Sequence, residues 1–226
     1  MKLLVINPNI SDDVTALIES EALRSASPGT ELVVRTAGHG VEYIETRFES
    51  LIAAGAVAEV IAEYTAETSD GGVAGRIDGV VVAAFGDPGM PALKELTDVP
   101  VIGITEAALC AAALQGHRFS IIAISDRIRP WYLDCVERFG LGGRLASIRS
   151  INESLNGIGS VQQDFKETLL ALSRQAVVGL QSGPHRAGAF APPPSKARKG
   201  LSENLDAALA AAQTAHTAST SAASTN

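Results

Sequence analysis

The sequence is poor in cysteine, in aromatic residues and in clustered positive charge. Two cysteines, Cys110 and Cys135, are too few for the disulfide framework of a small secreted protein. The 226 residues carry a net charge of -7, and no Lys/Arg cluster is interleaved with aromatic residues, which argues against nucleic-acid binding. No apolar run reaches the roughly eighteen residues of a spanning helix, and no signal peptide is recognisable. We therefore expect a cytoplasmic protein with a small-molecule partner.

Metal-ligand spacing is absent as well. The chain has four histidines, which show no such spacing among themselves or with the cysteines: His39, His117, His185 and His216. We therefore expect no metal site. An apolar fraction of 46% nevertheless indicates a globular protein, and the length allows a sizeable core.

What the chain does contain is a repeated alternation of short apolar strands and amphipathic helices. Strands are predicted at 2–6, 31–36, 80–84, 101–104, 119–125 and 145–151. Helices are predicted to begin near Ser11 and to span 49–64, 91–96, 106–114, 130–140 and about 161–177. This alternation implies an α/β fold with parallel sheets and right-handed crossovers, and the second half begins to repeat the first.

Polar segments follow three of the predicted strands. The run from Val80 to Ala84 is apolar on both faces, as expected of a central parallel strand, and Phe85-Gly86-Asp87-Pro88-Gly89 ends it. An Asn-Pro-Asn segment follows the first strand, and Thr105-Glu106 opens the helix after the fourth. Because ligands of open α/β sheets collect outside the carboxyl ends of the strands, these segments predict a binding site.

Three stretches, VINPNIS at 5–11, IDGVVVAAFGDPG at 77–89 and PVIGITEAAL at 100–109, together resemble the aspartate/glutamate/hydantoin racemase superfamily, closest to its hydantoin and allantoin racemases. The resemblance covers about residues 1–178. It implies two similar flavodoxin-like lobes with parallel sheets around a central cleft, the first at 1–105 and the second, incomplete, at 106–178. Relatives commonly form oligomers, so a homo-oligomer is an open expectation, with no segment assigned to an interface.

The resemblance also implies a cofactor-independent reaction. The family removes a proton from a carbon beside a carbonyl group and returns one to the opposite face, using one thiol on each wall of the cleft. This sequence has Ala84 at the first thiol position, and the second would follow Val178, where 179–183 contain no cysteine. Two hypotheses stay open: a racemase-type isomerase acting on hydantoin, allantoin or a related small carboxylate, and an inactive relative that binds a small ligand.

The candidate substrate-binding residues are Asn7, Asn9, Ser11, Phe85, Gly86, Asp87, Thr105, Glu106 and Ser125. The resemblance implies that the Asn-Pro-Asn loop binds carbonyl or carboxylate oxygens, although such residues also form simple turns. Asp87 is a candidate substitute base, or else it braces the turn before Pro88. We expect Ser125 to end the first strand of the second half and to face Ala84. Both cysteines are predicted to be small buried apolar residues.

After Val178 the composition changes. Residues 179–226 are rich in proline and alanine, include PHRAGAFAPPPSKARKG, and are predicted to be an atypical, partly disordered segment. We hypothesise a reading-frame change near codon 178, and a natural linker and tail is the alternative. Sequencing the coding DNA decides between them, because a frame change predicts that a shifted reading restores a racemase-like end.

Overall fold

A computed structural model of the chain describes residues 1–69, 76–152 and 165–182. The described residues divide into two compact units, of which the first ends at Ala108 and the second begins at Leu109. Of the atypical segment predicted at 179–226, the residues from 183 onward lie outside the described part of the chain. Within the described ranges, no helix combines the length and the apolar character needed to cross a membrane.

The first unit is built around a four-stranded parallel sheet in the order β2-β1-β3-β4. Its elements are β1 Lys2–Asn7, α1 Asp12–Ser25, β2 Glu31–Thr36, α2 Arg47–Ser69, β3 Gly79–Val82, α3 Met90–Leu96, β4 Val101–Gly103 and the start of α4 Ile104–Gln115. Each strand is followed by a helix, which confirms the predicted α/β alternation with parallel strands.

Burial of both sheet faces explains the apolar composition of the central strands. Leu3, Leu4, Val5 and Ile6 of β1 are fully buried, and so are the valines of β3. On one face, alternate strand residues pack against α2 and α3 in one core cluster, consisting of Leu4, Ile6, Val57, Val60, Ile61, Tyr64, Ile77, Val80, Val82, Met90, Leu93 and Val101. Such two-sided burial is the pattern of a parallel sheet covered by helices.

Hydrogen bonds from side chains fix the starts of α1 and α2. Ser11 caps α1 as predicted, with its Oγ accepting from the Val14 N–H at 3.4 Å. Helix α2 begins at Arg47, two residues before the predicted start, because Thr46 and Glu49 form a capping box. The Glu49 carboxylate accepts from the Thr46 N–H at 2.8 Å, and the Thr46 hydroxyl accepts from the Glu49 N–H at 3.2 Å.

The described part of the second unit contains a parallel strand pair and its helices. Its elements are β5 Phe119–Ala123, α5 Arg129–Arg138, β6 Leu145–Ser150 and α6 Lys166–Ser182. Arg144 precedes β6 and donates hydrogen bonds to the carbonyl oxygens of Ala113, Gly116 and His117, where α4 ends. This cation suits the negative end of the α4 dipole.

Some predicted boundaries and one predicted burial are wrong. β3 ends at Val82 and β5 at Ala123, each two residues short of the prediction, because the chain bends into the turn at 84–87 after β3 and into the short turn Asp126–Ile128 after β5. α4 begins at Ile104, so Thr105 lies within the helix instead of capping it. Cys135 is buried as predicted, whereas Cys110 is exposed, because the alanine-rich α4 gives no periodic signal of which face is covered.

Candidate functional site

The sheet register brings the predicted polar loops together at the carboxyl edge of the first unit. Ile6 pairs with Val82, and the Ala83 N–H donates to the Ile6 oxygen at 2.9 Å, so the Asn-Pro-Asn loop and residues 84–89 are neighbours. On the far side of β3, Val82 pairs with Gly103, which directly precedes α4. The first unit therefore has a polar edge formed by the segments after β1, β3 and β4.

Asn7 organises the loop after β1. Its side chain is fully buried, and its Nδ2 donates to Asn9 Oδ1 at 2.9 Å, to the Ser11 oxygen at 3.1 Å and to Thr15 Oγ1 at 2.9 Å. Its Oδ1 accepts from the Asn9 N–H at 3.2 Å. The Thr15 hydroxyl in turn pairs with that of Thr36 at 2.7 Å. Asn7 is thus occupied with holding the loop in place.

Asn9 presents its amide differently. Its Oδ1 accepts from Asn7 Nδ2 and from the Ser11 N–H, both at 2.9 Å, and this fixes which way the amide points. Its Nδ2 has no hydrogen-bond partner among the described residues, although the residue is only 7% exposed. Asn9 therefore holds two N–H donors in a fixed direction, available to an acceptor such as a carbonyl oxygen.

The loop after β3 turns sharply. Gly86, Asp87 and Gly89 all have positive φ values, of 110°, 48° and 75°, and the Asp87 N–H donates to the Ala84 oxygen at 3.2 Å. Aspartate tolerates this left-handed conformation better than most residues do. Ala84 and Phe85 are partly exposed, so they are the members of the loop that a ligand could reach together with Gly89.

Asp87 faces inward, to the start of α4. Its Oδ1 accepts from the Thr105 N–H and its Oδ2 from the Glu106 N–H, each at 2.8 Å, and its side chain is 2% exposed. Burial raises the pKa of the Asp87 carboxyl to about 6, and the nearby Glu106 charge adds to this rise. The two backbone N–H groups and the Thr105 hydroxyl act in the opposite direction, because they stabilise the ionised form.

Thr105 and Glu106 also have partners within the protein. The Thr105 hydroxyl accepts from the Gly86 N–H at 2.5 Å. The Glu106 carboxylate accepts from Lys94 Nζ at 2.7 and 3.0 Å and from the Gly103 N–H at 3.2 Å. Lys94 and Gly103, which were not among the candidates, therefore share one network with four of the predicted residues: Gly86, Asp87, Thr105 and Glu106. A glycine at the end of a strand is a signal of close approach that could have indicated Gly103.

Two candidates remain, of which Ser11 has structural contacts within its own loop and helix and Ser125 belongs to the second unit. Ser11 caps α1 with its side chain and donates its backbone N–H to Asn9 Oδ1, so both groups have structural roles. Ser125 belongs to the second unit, where it precedes the short turn Asp126–Ile128. Among the described residues, no three or more His, Cys, Asp or Glu side chains form a group that could hold a metal ion. The site can thus donate hydrogen bonds, while Ala84 offers no group for proton transfer.

Comparisons with known proteins agree on one family. Residues 3–182 match the family described as Asp/Glu/Hydantoin racemase. The chain is 33% identical to the hydantoin racemase of Paenarthrobacter aurescens over 177 residues, which cover 78% of this chain and 72% of that protein. Its fold is similar to two allantoin racemases, from Klebsiella pneumoniae (27% identity, TM-score 0.72) and from Pseudomonas fluorescens (28%, 0.73). Each match covers 95% of this chain, and 86% and 90% of the other.

Proposed function

Because the chain belongs to the Asp/Glu/hydantoin racemase family, we propose that it binds a small cyclic ureide, such as a hydantoin or allantoin, and exchanges the proton on the carbon beside the ligand's carbonyl group without a cofactor. The relatives named hydantoin and allantoin racemases support this ligand class. A ureide is a small ring with several carbonyl oxygens, so it is recognised by fixed N–H donors.

Asn9 is the observation that carries the binding part of the proposal. The Asn9 Nδ2 has no partner among the described residues and is not one of the fully buried unpaired atoms there, so its N–H groups reach solvent and a ligand oxygen can replace water as their acceptor. The oxygen of the same side chain is fixed by two donors, so the amide cannot turn without losing both bonds. A ligand carbonyl oxygen at the polar edge supplies such an acceptor.

The chemical part needs a base beside the ligand. The Ala84 methyl group can neither accept nor donate a proton. The one carboxylate of the adjoining loop, Asp87, already accepts hydrogen bonds at both oxygens and is 2% exposed. The family resemblance implies a second thiol position after Val178. The side chains from 180 onward are outside the described residues.

A second candidate function is ligand binding without turnover, and Ala84 is the observation that favours it. In this case the polar edge and its donors are kept, while the proton-transfer group of the first wall is absent. The protein would then act as a ureide-binding relative of the racemases. Both candidates share the binding step, so one experiment on binding and exchange together distinguishes them.

We would incubate the protein with a panel of hydantoins and allantoin in deuterated water and follow loss of the α-proton signal by NMR. The thermal unfolding midpoint is measured on the same samples, since a ligand that binds only the folded state raises it by mass action. Two variants accompany the natural sequence: Ala84→Cys, which restores a thiol, and Asn9→Ala, which removes the amide donors.

Exchange by the natural sequence supports the enzyme, and its loss in Asn9→Ala places the substrate at the polar edge. Stabilisation by a ureide without exchange supports the binding protein. Ala84→Cys should then gain slow exchange, because one thiolate can remove the α-proton, exchange it for a deuteron from solvent and return that deuteron to the carbanion. A panel that neither exchanges nor stabilises any of the three proteins refutes the ureide proposal.

A further inference from the structure

Asp87 joins two segments that are separated along the chain by α3 and β4. The carboxylate lies in the loop after β3, and both N–H groups that it binds lie in the first turn of α4. Those N–H groups have no acceptor within their own helix, because the first turn of any helix lacks one. An aspartate from a remote loop therefore takes the place of a capping side chain.

The fit around this carboxylate is close. A Cβ atom built on Gly103 would come within 2.5 Å of Asp87 Oδ2, so only glycine at this position leaves room for the carboxylate. A second link runs beside the first, since the Gly86 N–H donates to the Thr105 hydroxyl. Adjacent loop residues thus bind adjacent residues of α4.

We propose that Asp87 is a positioning residue, which ties the loop of residues 84–89 to the first turn of α4 and thereby holds residue 84 at the ligand site, and that it is not the proton acceptor of the reaction. This inference rests on the proposed function for the site itself. The tie between loop and helix can be tested without any ligand.

The bonding of the carboxylate argues against a role as base. To take a proton from a ligand, an oxygen of Asp87 would have to turn away from Thr105 or Glu106 and leave a buried N–H without an acceptor, which is costly. The other charges that face it are the Glu106 carboxylate on α4 and, bound to that carboxylate, the Lys94 ammonium on α3. Lys94 and Glu106 are paired with each other, and the Asp87 carboxylate is held by the two backbone N–H groups.

The first test is an NMR titration of the backbone amides, in the absence of ligand. In the natural sequence, the Thr105 and Glu106 amide proton signals should move together with one midpoint as the carboxylate titrates. In Asp87→Asn both movements should be lost, and hydrogen-exchange protection of these two amides should fall by about tenfold. Asp13→Asn, at an exposed carboxylate of α1, is the matched control and should leave both signals unchanged.

If the two amides do not titrate, or if they titrate equally in Asp87→Asn, the tie does not exist. If Asp87→Asn fails to fold, the titration of the natural sequence still decides, and Thr105→Val provides a variant that removes only the hydroxyl. These results are independent of any activity, so they stand even if no ureide binds.

The second test measures exchange in the Ala84→Cys background with and without Asp87→Asn. A positioning role predicts that Asp87→Asn lowers the rate at saturating ligand by about tenfold and leaves the pH dependence that belongs to the thiol in place. Residual exchange in Asp87→Asn whose pH profile has lost one limb would identify Asp87 as a proton-transfer group and overturn the proposal. Absence of exchange in every variant refutes the proposed reaction, and the amide titration then decides on the tie alone.

Discussion

Replacing Asp87 with asparagine should remove a pH-dependent contribution to the stability of the first unit. Burial raises the pKa of this carboxyl to about 6, against an ordinary value of 3.8. The folded chain therefore binds a proton more tightly than the unfolded chain, and the contribution is largest below pH 3.8 and is lost as the pH rises through 6. This pKa difference corresponds to a contribution of about 3 kcal/mol to the free energy of unfolding, of which about 1.3 kcal/mol is gained between pH 7 and pH 5.

We would measure urea denaturation of both proteins between pH 4.5 and pH 8 by far-UV circular dichroism. Fluorescence is unsuitable, because the single tryptophan, Trp131, lies in the second unit. Subtracting the Asp87→Asn value from that of the natural sequence at each pH cancels the other titrating groups. This difference should rise by about 1.3 kcal/mol from pH 7 to pH 5. A difference that stays level, or that falls on acidification, refutes the reasoning that burial dominates this carboxyl.

Three other predictions concern packing, hydrogen bonding and exposure. Gly103→Ala should lower the free energy of unfolding by about 1–3 kcal/mol, since its new methyl group would overlap a buried carboxylate, while Gly143→Ala, with open space around it, should change the value by less than about 0.5 kcal/mol; equal effects in urea denaturation would contradict the fit. Asn7→Ala should cost about 2 kcal/mol or more in the same assay, because it removes two N–H donors that reach three acceptors in the loop and in α1, and a cost near zero would show that the loop does not depend on them. Ellman's reagent should titrate one thiol in the native protein, that of Cys110, and reach Cys135 only after unfolding; two fast thiols, or a fast thiol that survives Cys110→Ser, would disprove this assignment.

The parallel α/β arrangement of the first unit could be predicted because its signals are local. An apolar run such as Val80 to Val82, followed by a glycine-rich turn, indicates a buried strand whatever surrounds it. The position of the Asn-Pro-Asn loop at the sheet edge follows from the same reasoning, because all parallel strands end on the same side. Sequence periodicity was thus sufficient to predict that the candidate loops lie at one edge of the sheet.

The hydrogen-bond partners at that edge could not be predicted in the same way. Asp87 and Thr105 are 18 residues apart, and nothing in the sequence between them indicates that the carboxylate turns inward to α4. Whether Cys110 is covered depends on which face of an almost uniformly apolar helix is packed, and α4 carries no periodic pattern that answers this. Contacts of this kind depend on the tertiary structure and have no local signature.

Ala84 has a consequence for how the site withstands oxidation. The family chemistry implied by the sequence resemblance depends on thiols, and thiolates are the side chains that peroxide and alkylating reagents attack first. The loop after β3 has an inert methyl group at that position, and the two cysteines of the chain lie in α4 and α5. Whatever ligand this edge binds, the loop after β3 presents no thiol to peroxide, so binding there is expected to withstand thiol oxidation that inactivates a thiol-dependent relative.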